Sequence, residues 1–163
     1  MSSFTSFSAP LNIEYDVKAS RLLGADHWRV TETFRYMIGG LDSGRWVTVP
    51  AGYLTDGASV PRLLWSRLPP WGHYGQAAAV HDILCESLTI VENGQPVRIT
   101  RREADRVLAE AMEVLGVDPA TRRAISLGVA VYRVVARPLQ PSWNSAKRAL
   151  ESEWRGYRDQ AAV

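Results

Sequence analysis

Residues 28–49 read WRVTETFRYMIGGLDSGRWVTV, and their pattern decides the fold. Trp28, Val30, Phe34, Tyr36 and Ile38 fall at even spacings. The turn GGLDSG follows over residues 39–44, and Trp46 then opens a run through Val47, Thr48 and Val49. Apolar residues at period two, broken by a Gly- and Asp-rich turn, describe antiparallel strands with one buried face. Upstream, Leu11, Ile13, Tyr15 and Val17 alternate in the same way. Beyond Pro61 the period changes. Residues 76–88 hold no breaker and predict a helix of about three turns. Thr100 with Glu103 three positions later is a capping-box start. Ala104, Val107, Leu108, Ala111, Met112 and Leu115 follow at helical spacing until Gly116 stops them. Asp118–Pro119 opens a third helix, with Ile125, Gly128, Val129, Tyr132 and Val135 along one stripe. Pro138 and Pro141 precede a last amphipathic helix carrying Trp143, Leu150, Trp154 and Tyr157. Strands followed by helices, without βαβ alternation, give an α+β fold: a small N-terminal antiparallel sheet, then a bundle of about four helices.

The whole chain agrees with one domain. Its 163 residues suffice for a core, and 46% hydrophobic against 22% charged residues excludes a disordered chain. The domain runs over residues 11–163. Residues 1–10, rich in Ser and Thr with Phe4 and Phe7, read either as a frayed terminus or as an arm docking on a neighbouring subunit. A net charge of +2 is too small to call for nucleic acid as a partner, and the pairs Arg101–Arg102 and Arg122–Arg123 read as solvated helix surface. Cys85 is the only cysteine, so no internal disulfide can form, which suits folding in a reducing cytoplasm. The leader MSSFTSFSAP has no basic region and no long apolar run, so it is not a secretory signal, and no stretch approaches a transmembrane span.

Chemistry concentrates between residues 49 and 105. His81 and Asp82 sit in a helix otherwise built of Ala, Val, Ile and Leu. Adjacent helical residues point about 100° apart, so one can face a reacting atom while the other reaches a metal beside it. A buried carboxylate needs a cation or a strong donor. The plainer reading is a surface Asp beside a core histidine. Asp56 lies in Thr55-Asp56-Gly57-Ala58-Ser59, a loop leaving the sheet, where Gly57 allows unusual backbone angles and exposes carbonyl oxygens. Two carboxylates with backbone carbonyls make a hard-oxygen set suited to calcium. If the next helix packs antiparallel, Asp105 reaches the far ring nitrogen of His81 and fixes its tautomer. Alternatively, Asp105 only compensates the helix dipole.

The order TD-x-A-S…P…G…A-x-x-x-HD…R-x-x-AD…M resembles the prokaryotic type of secreted phospholipase A2. The resemblance implies that Asp56, the Gly57 carbonyl and Asp82 bind calcium, that His81 activates water, and that Asp105 orients His81. The phrase VPAGYLTDGASVPRLLW…HDIL…ADRVLAEAM, over roughly residues 45–135, looks still closer to an uncharacterised family encoded by tailed phages, prophages and gene-transfer particles. That likeness implies synthesis in a bacterial host cytoplasm and incorporation in a virion tail beside other tail proteins, as one copy or as an oligomer. There are departures. Cys85 stands where both families place Tyr, the disulfides of the secreted enzymes are absent, and the last matched helix keeps only Val129-Ala130-Val131-Tyr132.

Together these give an expectation of calcium-assisted ester hydrolysis by a His-activated water, acting on the host envelope. Trp46, Trp65, Trp71 and Tyr74 would form an apolar rim meeting membrane lipid, with Arg62 and Arg67 near anionic head groups. A competing reading is a structural tail or baseplate component with a vestigial metal site. An HD-type phosphohydrolase fits poorly, since His73 is too close to His81 and His27 lies on an expected strand. Cys85, mid-helix among apolar residues, reads as an inert thiol.

Overall fold

The computed structural model describes residues 6–57, 72–136 and 144–161. Among the described residues, two small antiparallel sheets and five helices make an α+β fold. The first sheet orders β1 (Ile13–Tyr15), β2 (Trp28–Val30) and β5 (Leu54–Thr55) as β1-β2-β5. The second orders β3 (Phe34–Met37), β4 (Arg45–Val49), β6 (Thr89–Glu92) and β7 (Gln95–Arg98) as β3-β4-β6-β7. The helices are α1 (Val17–Leu23), α2 (Gly75–Ser87), α3 (Arg101–Val114), α4 (Pro119–Ala136) and α5 (Ser145–Ala161).

The alternation of residues 34–49 sets the core. Phe34 pairs with Val49 and Tyr36 with Val47 across β3 and β4, and all four side chains are buried while Arg35 between them is exposed. Part of the expected N-terminal arm lies on this sheet. Ser6 and Phe7 are buried, the Met37 amide donates to the Ser6 carbonyl at 2.7 Å, and the Phe7 ring lies 4.6 Å from that of Tyr36.

Two expectations are corrected. The alternating run through Val17 is not one strand: the Asp16 carboxylate accepts from the Ala19 amide at 2.7 Å and starts α1 at Val17. Strands do not all precede helices either. The hairpin β6–β7 lies between α2 and α3, turning at Asn93-Gly94 with φ of +50° and +80°. That dipeptide is a type I′ signature the hydrophobic pattern passes over. α2 packs on α3 and α3 on α4, whereas α5 packs against α1, where Leu150 meets Ala19 and Leu54. Trp154 of α5 lies so close to Gly52 that a Cβ there would meet its ring at 2.8 Å.

The α3 boundaries follow the sequence. Thr100 and Glu103 form the capping box, Ala104, Val107, Leu108, Ala111 and Met112 are buried, and Gly116 takes φ +72° after the last turn. Ile125 of α4 is buried as expected, but Tyr132 and Val135 are 63% and 77% exposed, so the predicted inward stripe holds only for the first half. Among the described residues, no helix is long and apolar enough to cross a membrane.

Candidate functional site

Helix α2 carries two adjacent polar stripes beside its buried Ala77, Ala79, Val80 and Leu84. His81 and Cys85, one turn apart, form one stripe; Asp82 and Glu86 form the other. The amide of Ile99 donates to the Leu88 carbonyl at 2.9 Å while His81 meets Asp105. Those contacts progress in opposite directions along the two chains, so α2 and α3 lie antiparallel.

On the first stripe, His81 Nε2 lies 2.9 Å from Asp105 Oδ1, and Arg133 Nε of α4 donates to Asp105 Oδ2 at 2.7 Å. Cys85 Sγ lies 3.5 Å from the same His81 nitrogen. Burial alone would lower the imidazole pKa. The hydrogen bond with Asp105 and the Cys85 contact outweigh it and raise the pKa to about 10. Asp105 is held below the usual carboxylate range: burial works against this, and the bonds from His81 and Arg133 prevail. The thiol is therefore not isolated among apolar groups, contrary to expectation: it is half-buried against His81.

On the second stripe, Thr55 Oγ1 of β5 donates to Asp82 Oδ2 at 2.7 Å and accepts from the Gly57 amide at 3.1 Å. Burial, then the nearby negative charge of Asp56, pushes Asp82 up to about 7. The Thr55 donor and the charges of His81 and Lys147 oppose this. Asp56 is exposed at the end of β5, and Gly57 takes φ +81°. One turn on from Asp82, Glu86 accepts from Tyr53 Oη at 3.1 Å and pairs with Lys147 Nζ of α5. That ammonium lies 4.1 Å from the centre of the Tyr53 ring and 3.9 Å from Glu151 Oε1. Glu151 also accepts from the Leu54 amide at 3.0 Å. Burial raises the pKa of Glu151, and raises that of Tyr53 well beyond its ordinary value, with the surrounding carboxylates adding to the latter.

The structure thus brings His81 to Asp105 and sets Asp82 beside the Asp56 loop. Among the described residues, no three His, Cys, Asp or Glu side chains converge as a metal cluster. A cation between Asp56 and Asp82 would need backbone oxygens and water to complete its shell, which suits a hard ion such as calcium. The negative charge of Asp56 raises the pKa of Asp82, and a cation between the two would relieve that repulsion.

The lipid rim fares differently. Tyr74 is 4% exposed and packs in the core at the start of α2, so it cannot meet a membrane. Trp46 is half-buried on β4, with Arg35 stacked 5.7 Å from its ring. Trp65, Trp71, Arg62 and Arg67 lie outside the described residues.

Residues 28–129 match the family described as "Protein of unknown function (DUF1353)". The chain belongs to the DUF1353 family. Comparison with curated proteins and with solved structures gave no match. The DUF1353 segment holds Thr55, Asp56, His81, Asp82, Glu86 and Asp105, but Arg133, Lys147 and Glu151 lie beyond it. Those three, with Tyr53 and Glu86, are site residues that sequence reasoning missed. Arg133 and Lys147 sit 28 and 61 residues from their partners, and no local pattern links such positions. Glu86 had a local signal, its i, i+4 spacing from Asp82.

Proposed function

We propose that this DUF1353 protein is a calcium-dependent hydrolase of carboxylic esters of the phospholipase A2 type, carried in a phage virion tail and acting on the host envelope. The observation that carries the reading is the placement of His81 against Asp105 on one stripe of α2, with Asp82 beside the Asp56 loop on the next. Asp105 holds Nε2, which leaves Nδ1 as the nitrogen to accept a proton from water. Asp56, Asp82 and the Gly57 carbonyl would hold calcium, which supplies polarisation of the ester carbonyl and stabilisation of the developing oxyanion. A general base must start unprotonated, and His81 is charged at neutral pH. Hydrolysis by this route therefore rises with pH towards about 10, as the imidazole gives up the proton that Asp105 and Cys85 hold on it.

That same protonation favours a second reading, a structural tail component with a vestigial site. His81, Asp105 and Arg133 then act as an ionic tie joining α2, α3 and α4. The test is release of fatty acid from mixed phospholipid vesicles, with and without calcium, by wild type and His81→Ala. Calcium-dependent release that disappears in the variant supports the enzyme. No release from folded wild type at any calcium concentration leaves the structural reading.

A further inference from the structure

The outward face of α4 is apolar in a regular way. Ala120, Ala124, Leu127, Val131 and Val134 recur at spacings of four and three, and all five are exposed. Leu127, Val131 and Val134 are 66%, 52% and 64% exposed, and Val135 on the flank is 77% exposed. Ile125 and Val129, on the opposite side, face the core. A single exposed apolar residue is ordinary, but a seam at this spacing over four turns is the pattern by which one helix packs on another.

The seam is graded, with alanines at its N-terminal end and valines at its C-terminal end. We infer that it pairs with the same seam of a second copy of this chain, antiparallel, about a two-fold axis at Leu127. In that register Leu127 meets Leu127 and Ala120 meets Val134 at the same level, and Ala124 lies within about 1.5 Å of the level of Val131. Each small side chain opposes a larger one, so the helices stay evenly spaced. A parallel pair would match alanine with alanine and valine with valine, and splay at one end. Antiparallel pairing also opposes the two helix dipoles favourably.

Size and charge agree with this occupant. Eighteen residues make a helix about 27 Å long and about 10 Å across. Such a pair covers on the order of 1,000 Å² in total, at the lower end of specific interfaces. The dimer is accordingly weak, with a dissociation constant on the order of micromolar. An anionic lipid surface suits the face less well, because two of the three arginines of α4 are engaged: Arg122 with Glu113 at 3.0 Å and Arg133 with Asp105 at 2.7 Å.

Sedimentation equilibrium of the full chain, from low to several hundred micromolar, tests the pairing. Wild type dimerises, and Leu127→Glu weakens dimerisation at least tenfold with an unchanged far-ultraviolet circular dichroism spectrum. Oxidative crosslinking in a Cys85→Ser background reads the register. Leu127→Cys crosslinks with itself, whereas Ala120→Cys crosslinks with Val134→Cys and not with itself. A wild type that stays monomeric throughout overturns the inference. So does self-crosslinking of Ala120→Cys, or a monomer whose binding to phosphatidylglycerol vesicles is lost in Leu127→Glu.

Discussion

The two polar stripes of α2 stand about 100° apart on one helix and differ in how their charges close. On the His81 side, a carboxylate lies between an imidazolium and a guanidinium, and every formal charge has a partner within 2.9 Å. On the Asp82 side, Glu86 and Glu151 share Lys147, Arg155 lies 3.9 Å from Glu151 at the edge, and Asp82 feels the negative charge of Asp56. The first is a closed ionic tie, the second an acidic cluster with negative charge to spare. A closed tie serves a structure whether or not it serves a reaction. An acid surplus around a buried carboxylate costs stability, and residues kept at such a cost are candidates for function.

The same kind of substitution therefore has opposite effects on the two sides. Asp105→Asn gives the largest change: His81 and Arg133 lose their shared counter-charge, and stability falls by about 3–5 kcal/mol in urea unfolding. Lys147→Met comes next, with a loss of about 2–3 kcal/mol at pH 8, since Glu86 and Glu151 lose their buried cation. Asp82→Asn moves the other way. The amide oxygen still accepts from Thr55, the repulsion with Asp56 disappears, and the metal-free protein gains about 1–2 kcal/mol at pH 8. Lys18→Ala gives the smallest change, under about 0.5 kcal/mol, because its 2.7 Å pair with Glu153 is well exposed.

The pH dependence sharpens the contrast. The folded pKa of Asp82 lies above its ordinary value of 3.8, so its ionisation costs stability above about pH 7, and that cost is gone below about pH 4. The gain from Asp82→Asn should therefore vanish in unfolding curves at pH 4. His81 contributes the opposite profile: its stabilisation is whole below 6.5 and is lost as pH rises through about 10. The Asp105 contribution is present at neutral pH and is lost as pH falls through its depressed pKa. An Asp82→Asn gain that persists unchanged at pH 4 would break the account of the acidic side.

Legibility in the sequence followed the range of each interaction. The strands at residues 34–37 and 45–49, the capping box at Thr100 and the stop at Gly116 rest on neighbours a few residues apart, and they were readable. His81 and Asp105 were readable as a pair only on the condition that α2 and α3 run antiparallel, which the hairpin β6–β7 brings about. Arg133 and Lys147 were not readable. Each reaches a partner through the packing of a whole helix, and a lone Arg or Lys on an amphipathic helix looks like solvated surface until that packing is known. The C-terminal half of α4 was misread for a related reason. Both of its faces are apolar, and periodicity alone does not say which one turns inward.

The proposed hydrolase requires a cation held on the acidic side of α2 through Asp82. Calorimetric titration of calcium into wild type and Asp82→Asn, both folded at pH 8, tests it most directly. The account predicts binding by wild type that weakens at least tenfold in the variant. Equal binding by both proteins, or none by wild type, would contradict it.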